Sequence, residues 1–239
     1  RDIALPGGTE ANRPLSRPDS TRGFRDIEFH RMSQEDPRLF IFGAGQNAEV
    51  AAYYFGEAGR FSEIIFSVDD DYFTDSTVDG HAVLPFSDAT RKARPGVDVW
   101  FTGMSGQRRS VPRQQKADEI AGLGFGFASY VHPTAIVWRG FTLQPNCLVL
   151  ENNVLQYKCS LGPNSIVWSN SHIGHHTRIG ANCFITSEVV ISGDCTIGDN
   201  CFFGVNATVF DGITIEDHAV IGAGAVVRRK VSRREVVRD

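Results

Sequence analysis

The sequence predicts a chain in two parts: a small α/β unit followed by a stack of coils built from short parallel strands. Three observations carry this. An apolar residue recurs every six positions through the second half, a Gly/Asn corner recurs there every eighteen, and the first half alternates apolar strands with a glycine turn and helices.

The six-residue period runs from Val131 through Val149, Ile173, Ile197 and Ile221 to Val227. All seventeen positions on it are apolar, and sixteen are aliphatic. With 41% of the chain hydrophobic, a single frame does this by chance less than about once in a million. The fourth residue after each of these anchors is usually small, and all five cysteines, Cys147, Cys159, Cys183, Cys195 and Cys201, fall in that class. A disulfide framework has no reason to follow a six-residue grid. Small buried plugs do, because free cysteine packs as a small hydrophobe. Asn146, Asn164, Asn182 and Asn200 are eighteen residues apart, and the last three sit in Gly-x-Asn corners opened by Gly162, Gly180 and Gly198. Glycine and asparagine tolerate left-handed backbone. Three hexads to a coil therefore stack these corners at the strand spacing of about 4.8 Å, giving a prism about 27 Å tall, and stacked asparagines can form side-chain ladders.

The first half opens with a polar, Pro- and Gly-containing stretch, residues 1–37, expected to form an extension. It starts at Arg1 and not Met, as a processed or a trimmed end would, and it has no apolar core of a signal peptide. An apolar strand at Leu39 then runs into Gly43-Ala-Gly45-Gln46-Asn47-Ala48 and a helical pattern. This is a Gly-x-Gly-x-x-Ala variant of the dinucleotide fingerprint, in which glycines allow a tight turn and a helix N-terminus faces phosphate. A second strand, Glu63–Val68, ends in Asp69-Asp70-Asp71, where such folds present an acid to a ribose. Further strands are expected at 97–103 and 124–130, with a helix over 113–123. The unit spans about 90 residues, short for a complete dinucleotide-binding fold.

The balance of 28 acidic and 24 basic side chains, net charge −4, argues against a nucleic-acid or anionic-membrane binder. No apolar run reaches the ~20 residues of a membrane helix. An odd number of cysteines in a chain of this length points to a reducing, cytoplasmic setting.

Hexapeptides headed by an aliphatic residue, often followed by glycine, resemble the left-handed parallel β-helix of the hexapeptide-repeat acyltransferases. The order of a small Rossmann-like α/β unit, then Tyr130-Val-His132-Pro133, then an uninterrupted hexad array resembles the sialic-acid O-acetyltransferase and nucleotide-amino-sugar N-acetyltransferase family. The resemblance implies an extension at 1–37, a nucleotide-sugar-binding domain at 38–130, a β-helical acyltransferase domain at 131–231 and a tail at 232–239. It implies acetyl-CoA as co-substrate, no metal, a nucleotide-linked sugar as substrate and a homotrimer with CoA held between subunits. Gly43, Gly45, Gln46, Asn47, Asp69 and Asp70 would hold the acceptor nucleotide. Gly193, Gly204, Val205, Gly222 and Ala223 would offer backbone to CoA.

Acetyl transfer requires a base for the acceptor's proton, and a neutral imidazole suits it near pH 7. The richest cluster is His172-Ile-Gly-His175-His176-Thr-Arg-Ile-Gly180. Ile173 and Thr177 are its inward pair, so His175 and His176 point outward at a corner. His175 matches the family's catalytic histidine, two residues after an anchor and four before Ile179-Gly180; His172 is the second candidate. Eighteen residues from His175 lie Tyr157 and Gly193, the latter leaving room for a pantetheine arm. Eighteen from His176 lie Lys158 and Asp194, whose carboxylate could hydrogen-bond an imidazole. The chain departs from the family pattern in three places. His176 follows the base where an acid is common, Gln46-Asn47 replaces a Gly-His pair, and the Gly-x-Pro-Ala tail is absent. Two other readings stand beside this one: a non-catalytic nucleotide-sugar scaffold, and a β-helical zinc carbonic anhydrase using His172, His175 and His176 across an interface.

Overall fold

The computed structural model describes residues 36–74 and 77–238. The expected extension over 1–37 lies outside the described residues except for its last two positions. The α/β unit has the element order β1 (Leu39–Phe42), α1 (Gln46–Glu57), β2 (Ile64–Val68), β3 (Thr77–Val78), β4 (His81–Pro85), α2 (Phe86–Lys92), β5 (Val99–Thr102), α3 (Val111–Gly122) and β6 (Gly126–Phe127). The strands form one sheet in the order β3-β4-β2-β1-β5-β6, parallel except for the short β3–β4 hairpin. β1 lies centrally, its Leu39 in register with Ile64 of β2 and Val99 of β5.

β1 is LFIF, buried at every position, because both sides of the sheet are covered. Leu39 and Ile41 pack with α1 and with Leu148, Ile166 and Phe184 of the coils. Phe40 and Phe42 pack with Ala89 of α2 and Ile120 of α3 around Trp100. The pair β3–β4 and the seven-residue α2 were not foreseen. They are too short to show a period, and α2 is held by the sheet it covers more than by its own propensity.

From Tyr130 onward the chain winds through three parallel sheets in rotation, of seven, six and four strands. This is the expected β-helix of hexapeptide repeats, with a triangular cross-section. Anchors from Val149 to Val227 point inward and are at most 4% exposed. Val131, Val137 and Leu143 are only half-buried, because they form the end of the stack. From Asn146 to Gly224 the third residue after every anchor has φ between +54° and +72°, so each coil turns its corners through one left-handed residue. The residue after the anchor is often glycine because coils touch there. A Cβ on Gly162 would stand 2.5 Å from the backbone of Gly180 in the next coil.

The cysteines are free and buried, as the grid predicts. Burial pushes the Cys147 and Cys159 thiols up to about 12, which suits plugs and not nucleophiles. The thiols and hydroxyls of the plug class point at carbonyls of the next coil, as Cys147 Sγ does at Gly162 O (3.3 Å) and Thr177 Oγ1 at Ser192 O (2.7 Å). The coil also runs past 231. Val231 bridges Ile215, and Val236–Val237 pairs with Val220–Ile221, so the expected tail adds a rung. The spacing to the partner shortens there from eighteen residues to sixteen, which hides this rung from a six-residue ruler.

Candidate active site at the open corner

The three faces of the prism differ in their outward residues. The first carries Leu148, Ile166 and Phe184 and is covered by the α/β unit. The second carries Ile136, Val154, His172, Val190, Thr208 and Val226, and the third Ser160, Arg178, Thr196 and Thr214.

The α/β unit grips the two corners that flank its face. At one, the asparagine ladder forms: Asn146 Nδ2 donates to Asn164 Oδ1 (2.8 Å) and Asn164 Nδ2 to Asn182 Oδ1 (2.7 Å). Its fourth member turns away, with Asn200 Nδ2 donating to Gln114 Oε1 (2.9 Å). Thr102 at the end of β5 and the fully buried Arg113 of α3 bind the same ladder. Arg113 donates to the carbonyls of Asn164 (2.5 Å), Asn182 (3.1 Å) and Cys183 (3.2 Å). Burial lowers the Arg113 pKa to about 10, so the guanidinium stays charged at neutral pH. At the other gripped corner Tyr54 Oη donates to Glu151, which also accepts from Ser169 Oγ (2.6 Å).

The third corner, between the two open faces, carries the histidines. His175 and His176 are exposed there, as expected. Their Nδ1 atoms are 3.2 Å apart. The His175 backbone N–H donates to Gln156 Oε1 (3.0 Å). The His176 ring stands edge-on to Tyr157 (centroids 5.8 Å), and Tyr157 edge-on to Trp138 (5.5 Å). Beside this aromatic column, one coil below the histidines, a cleft of about 310 Å³ is lined by Trp138, Gly140, Gln144, Lys158 and Ser160.

Two expectations about this corner differ from the structure. The space that Gly193 leaves free is filled by the His175 imidazole and not left open: a Cβ on Gly193 would meet its Cε1 at 2.5 Å. Asp194 meets His175 only through backbone, its N–H donating to the His175 carbonyl (2.8 Å). Among the described residues no hydrogen bond joins the Asp194 carboxylate to an imidazole; the Nδ1 atoms of the two rings face each other instead. His172 lies apart, on the second face, paired in register with Val154 and Val190. Val205 and Ala223 are exposed corner residues. Gly204 and Gly222 are stacking contacts, with a Cβ on Gly204 standing 2.4 Å from Ala223 N. Among the described residues no group of three or more His, Cys, Asp or Glu could hold a metal ion, and no helix is long and apolar enough to cross a membrane.

The residues expected to hold a nucleotide gather at the carboxyl edge of the α/β sheet. Gly43 closes β1 with φ +111° and donates to Ser67 O (2.7 Å). Gly45 caps α1, with Gln46 and Asn47 in its first turn. Ala48 packs so tightly on Gly103 that a Cβ there would stand 2.7 Å away. Asp69 and Asp70 follow β2, beside a cleft of about 380 Å³ shared with Tyr72, Phe86 and Ser87. Both are engaged within the chain. Lys116 Nζ reaches Asp69 Oδ1 (2.7 Å), and the Ser87 N–H donates to Asp70 Oδ1 (3.0 Å), which holds that carboxyl below the usual range. The sequence reading missed Gly103 and the loop after β5, although the strand order reverses between β1 and β5 and ligands of such sheets bind at that reversal.

Comparison with known proteins agrees with this architecture. The family model "Bacterial transferase hexapeptide (six repeats)" matches residues 158–193 and 176–211, and "Hexapeptide repeat of succinyl-transferase" matches 195–229. No curated protein matches by sequence. Among solved structures, the acetyltransferase domain of PglB from Neisseria gonorrhoeae, in complex with acetyl coenzyme A, superposes with TM-score 0.77 at 24% identity, covering 84% of this chain and 96% of that one. A His-to-Asn variant of perosamine N-acetyltransferase from Caulobacter crescentus, in complex with CoA and GDP-perosamine, gives 0.73 at 21% identity, covering 84% and 96%. WeeI from Acinetobacter baumannii gives 0.67 at 16% identity, covering 84% and 98%. This chain shares their two-part fold, an α/β unit joined to a left-handed β-helix.

Proposed function

We propose that this protein transfers the acetyl group of acetyl-CoA to a nucleotide-linked sugar, with His175 as general base. The observation that carries the reading is an exposed imidazole pair at the one corner the α/β unit leaves open, on a fold shared with solved acetyltransferases. In the proposed reaction His175 Nε2 takes a proton from the acceptor's amino or hydroxyl group as that atom attacks the thioester carbonyl. The C–S bond breaks, and the imidazolium returns the proton to the departing CoA thiolate. The exposed corners at Val205 and Ala223 offer backbone along the CoA path. Gly204 and Gly222 keep the coils close beneath it, and Gly193 gives its side-chain space to the His175 ring.

The acceptor site and the base do not share a side of the chain. Gly43, Gly45, Gln46, Asn47, Asp69 and Asp70 belong to the unit on the first face, whereas His175 stands at the corner opposite that face. A nucleotide held by one copy is therefore best presented to the histidine of a neighbour, and a homotrimer provides this. The open second face, with Ile136 67%, Val190 38% and Val226 40% exposed, is the apolar surface such packing would cover.

The test is to incubate the purified chain with acetyl-CoA and a panel of nucleotide-linked amino sugars and hydroxyl-only analogues, reading products by mass spectrometry. Gain of one acetyl group on an amino sugar supports the reading. Sugar binding without acetyl transfer or CoA binding supports the scaffold instead.

A further inference from the structure

Two imidazole nitrogens facing each other at hydrogen-bond distance must differ in protonation: one donates and the other accepts. His175 Nδ1 and His176 Nδ1 stand in that relation at 3.2 Å. If His176 donates, the remaining proton of neutral His175 sits on Nε2, and the outward nitrogen has no lone pair to offer. If His175 donates, its Nε2 is free. We infer that His176 is a positioning residue: its Nδ1 accepts the Nδ1–H of His175 and thereby holds the base in the tautomer whose Nε2 can receive a proton. The inference rests on the reading of His175 as base.

The surroundings favour this role. The His175 ring lies over Gly193 while its backbone N–H donates to Gln156 Oε1, and the His176 ring stands edge-on to Tyr157. The backbone does not demand an imidazole at this corner. His176 has φ +59°, and the equivalent places in the coils above are Asp194 at φ +56° and Gly212 at φ +67°. Which ring nitrogen of a histidine carries the proton is set by the hydrogen bond the other makes. When His175 gains the acceptor's proton, its imidazolium keeps Nδ1–H on a neutral His176, and His176 moves no proton itself. The charged and titratable groups around the pair are Tyr157 and Lys158 in the coil below, Arg178 on the following strand, Asp194 in the coil above, and Asp211, which accepts the Gly193 N–H (2.8 Å).

The test uses the full chain and three variants. His176→Gly removes the ring at a φ that glycine adopts freely; His176→Asn and His176→Asp restore an acceptor in residues that tolerate the same φ. Long-range ¹H–¹⁵N spectra, taken where both imidazoles are neutral, should place the His175 proton on Nδ1 and show it shift toward Nε2 in His176→Gly. kcat should fall about 10- to 100-fold in His176→Gly, with KM little changed, and recover in His176→Asn. In His176→Asp the acidic limb of the rate profile should move to higher pH, because a carboxylate stabilises the imidazolium. A His175 proton on Nε2 in the parent protein, or His176→Asn no better than His176→Gly, overturns the inference. Full activity in His175→Ala overturns the reading of the base instead, and leaves the tautomer spectra to be judged separately.

Discussion

The imidazole of His175 lies directly over Gly193 of the next coil, so close that a Cβ on residue 193 would stand 2.5 Å from Cε1 and 2.7 Å from Nε2. The glycine thus seats the ring. A methyl group there meets the movable end of a side chain and not backbone, so the fold should absorb it. Gly193→Ala should change the unfolding midpoint little while lowering kcat at least about 10-fold, since small displacements of a reacting group are costly. Unfolding curves and steady-state rates on the same preparation check this; a fully active Gly193→Ala would show that the seat is unimportant.

His175→Ala should reduce kcat by about 10²- to 10⁴-fold, the usual contribution of a general base. CoA binding, measured by calorimetry, should persist, because the proposed CoA contacts are backbone. Turnover equal to the parent's would remove His175 from the mechanism.

Glycines of this chain should divide sharply by substitution. At Gly162 a Cβ would stand 2.5 Å from Gly180 C and 2.6 Å from Ala181 N, backbone atoms of a stacked coil that cannot turn aside. Gly162→Ala should cost about 2–3 kcal/mol in urea unfolding. Gly122, the last residue of α3, has nothing within 4 Å of its Cβ position. Gly122→Ala should be neutral or stabilising, by up to about 1 kcal/mol.

Asp98 is 1% exposed and receives Arg38 (2.7 Å) and Arg94 (2.8 Å). Burial opposes its ionisation, but the hydrogen bonds from Arg94 and Arg38 outweigh it and hold the carboxyl well below its ordinary range. A carboxyl lowered on folding contributes fully above its unfolded pKa of about 4 and loses that contribution as pH falls below it. Asp98→Asn should therefore cost about 3 kcal/mol at pH 7. The gap between variant and parent should narrow as the urea midpoint is followed downward from pH 5. A gap constant with pH would mean the ion pairs do not couple to folding.

Val190 stands in the outward apolar column of the open second face, next in register to His172. Val190→Glu should dissociate the proposed trimer, seen by light scattering, leave the circular dichroism of the monomer intact, and abolish transfer by separating acceptor site from base. Retention of the parent's mass would mean that this face is not the contact.

Much of the coiled half was legible in the sequence because its rule is local. Each anchor faces inward and each corner turns left-handed, so six-residue spacing fixes which side chains are inside. Cys147 and Cys159 could be read as plugs, and His175 and His176 as outward corner residues, from spacing alone. The asparagine ladder was foreseen, but its task was not. Spacing cannot say that Arg113 and Thr102 come from 51 and 62 residues away to bind Asn164. The last rung was missed when the spacing shortened by two residues, and α2 and the β3–β4 pair were too short to carry a period.

Periodicity in one chain determined the prism, the inward and outward sides of its strands, and a corner bearing histidines, because stacked coils repeat the same contacts at a fixed sequence distance. Only the tertiary structure decided which face the α/β unit covers, that His175 fills the place over Gly193, and that its Nδ1 meets His176 while the Asp194 carboxylate bonds neither ring. Those outcomes depend on side-chain direction and on contacts between distant segments, where a few tenths of an ångström separate a hydrogen bond from a miss and no spacing rule applies.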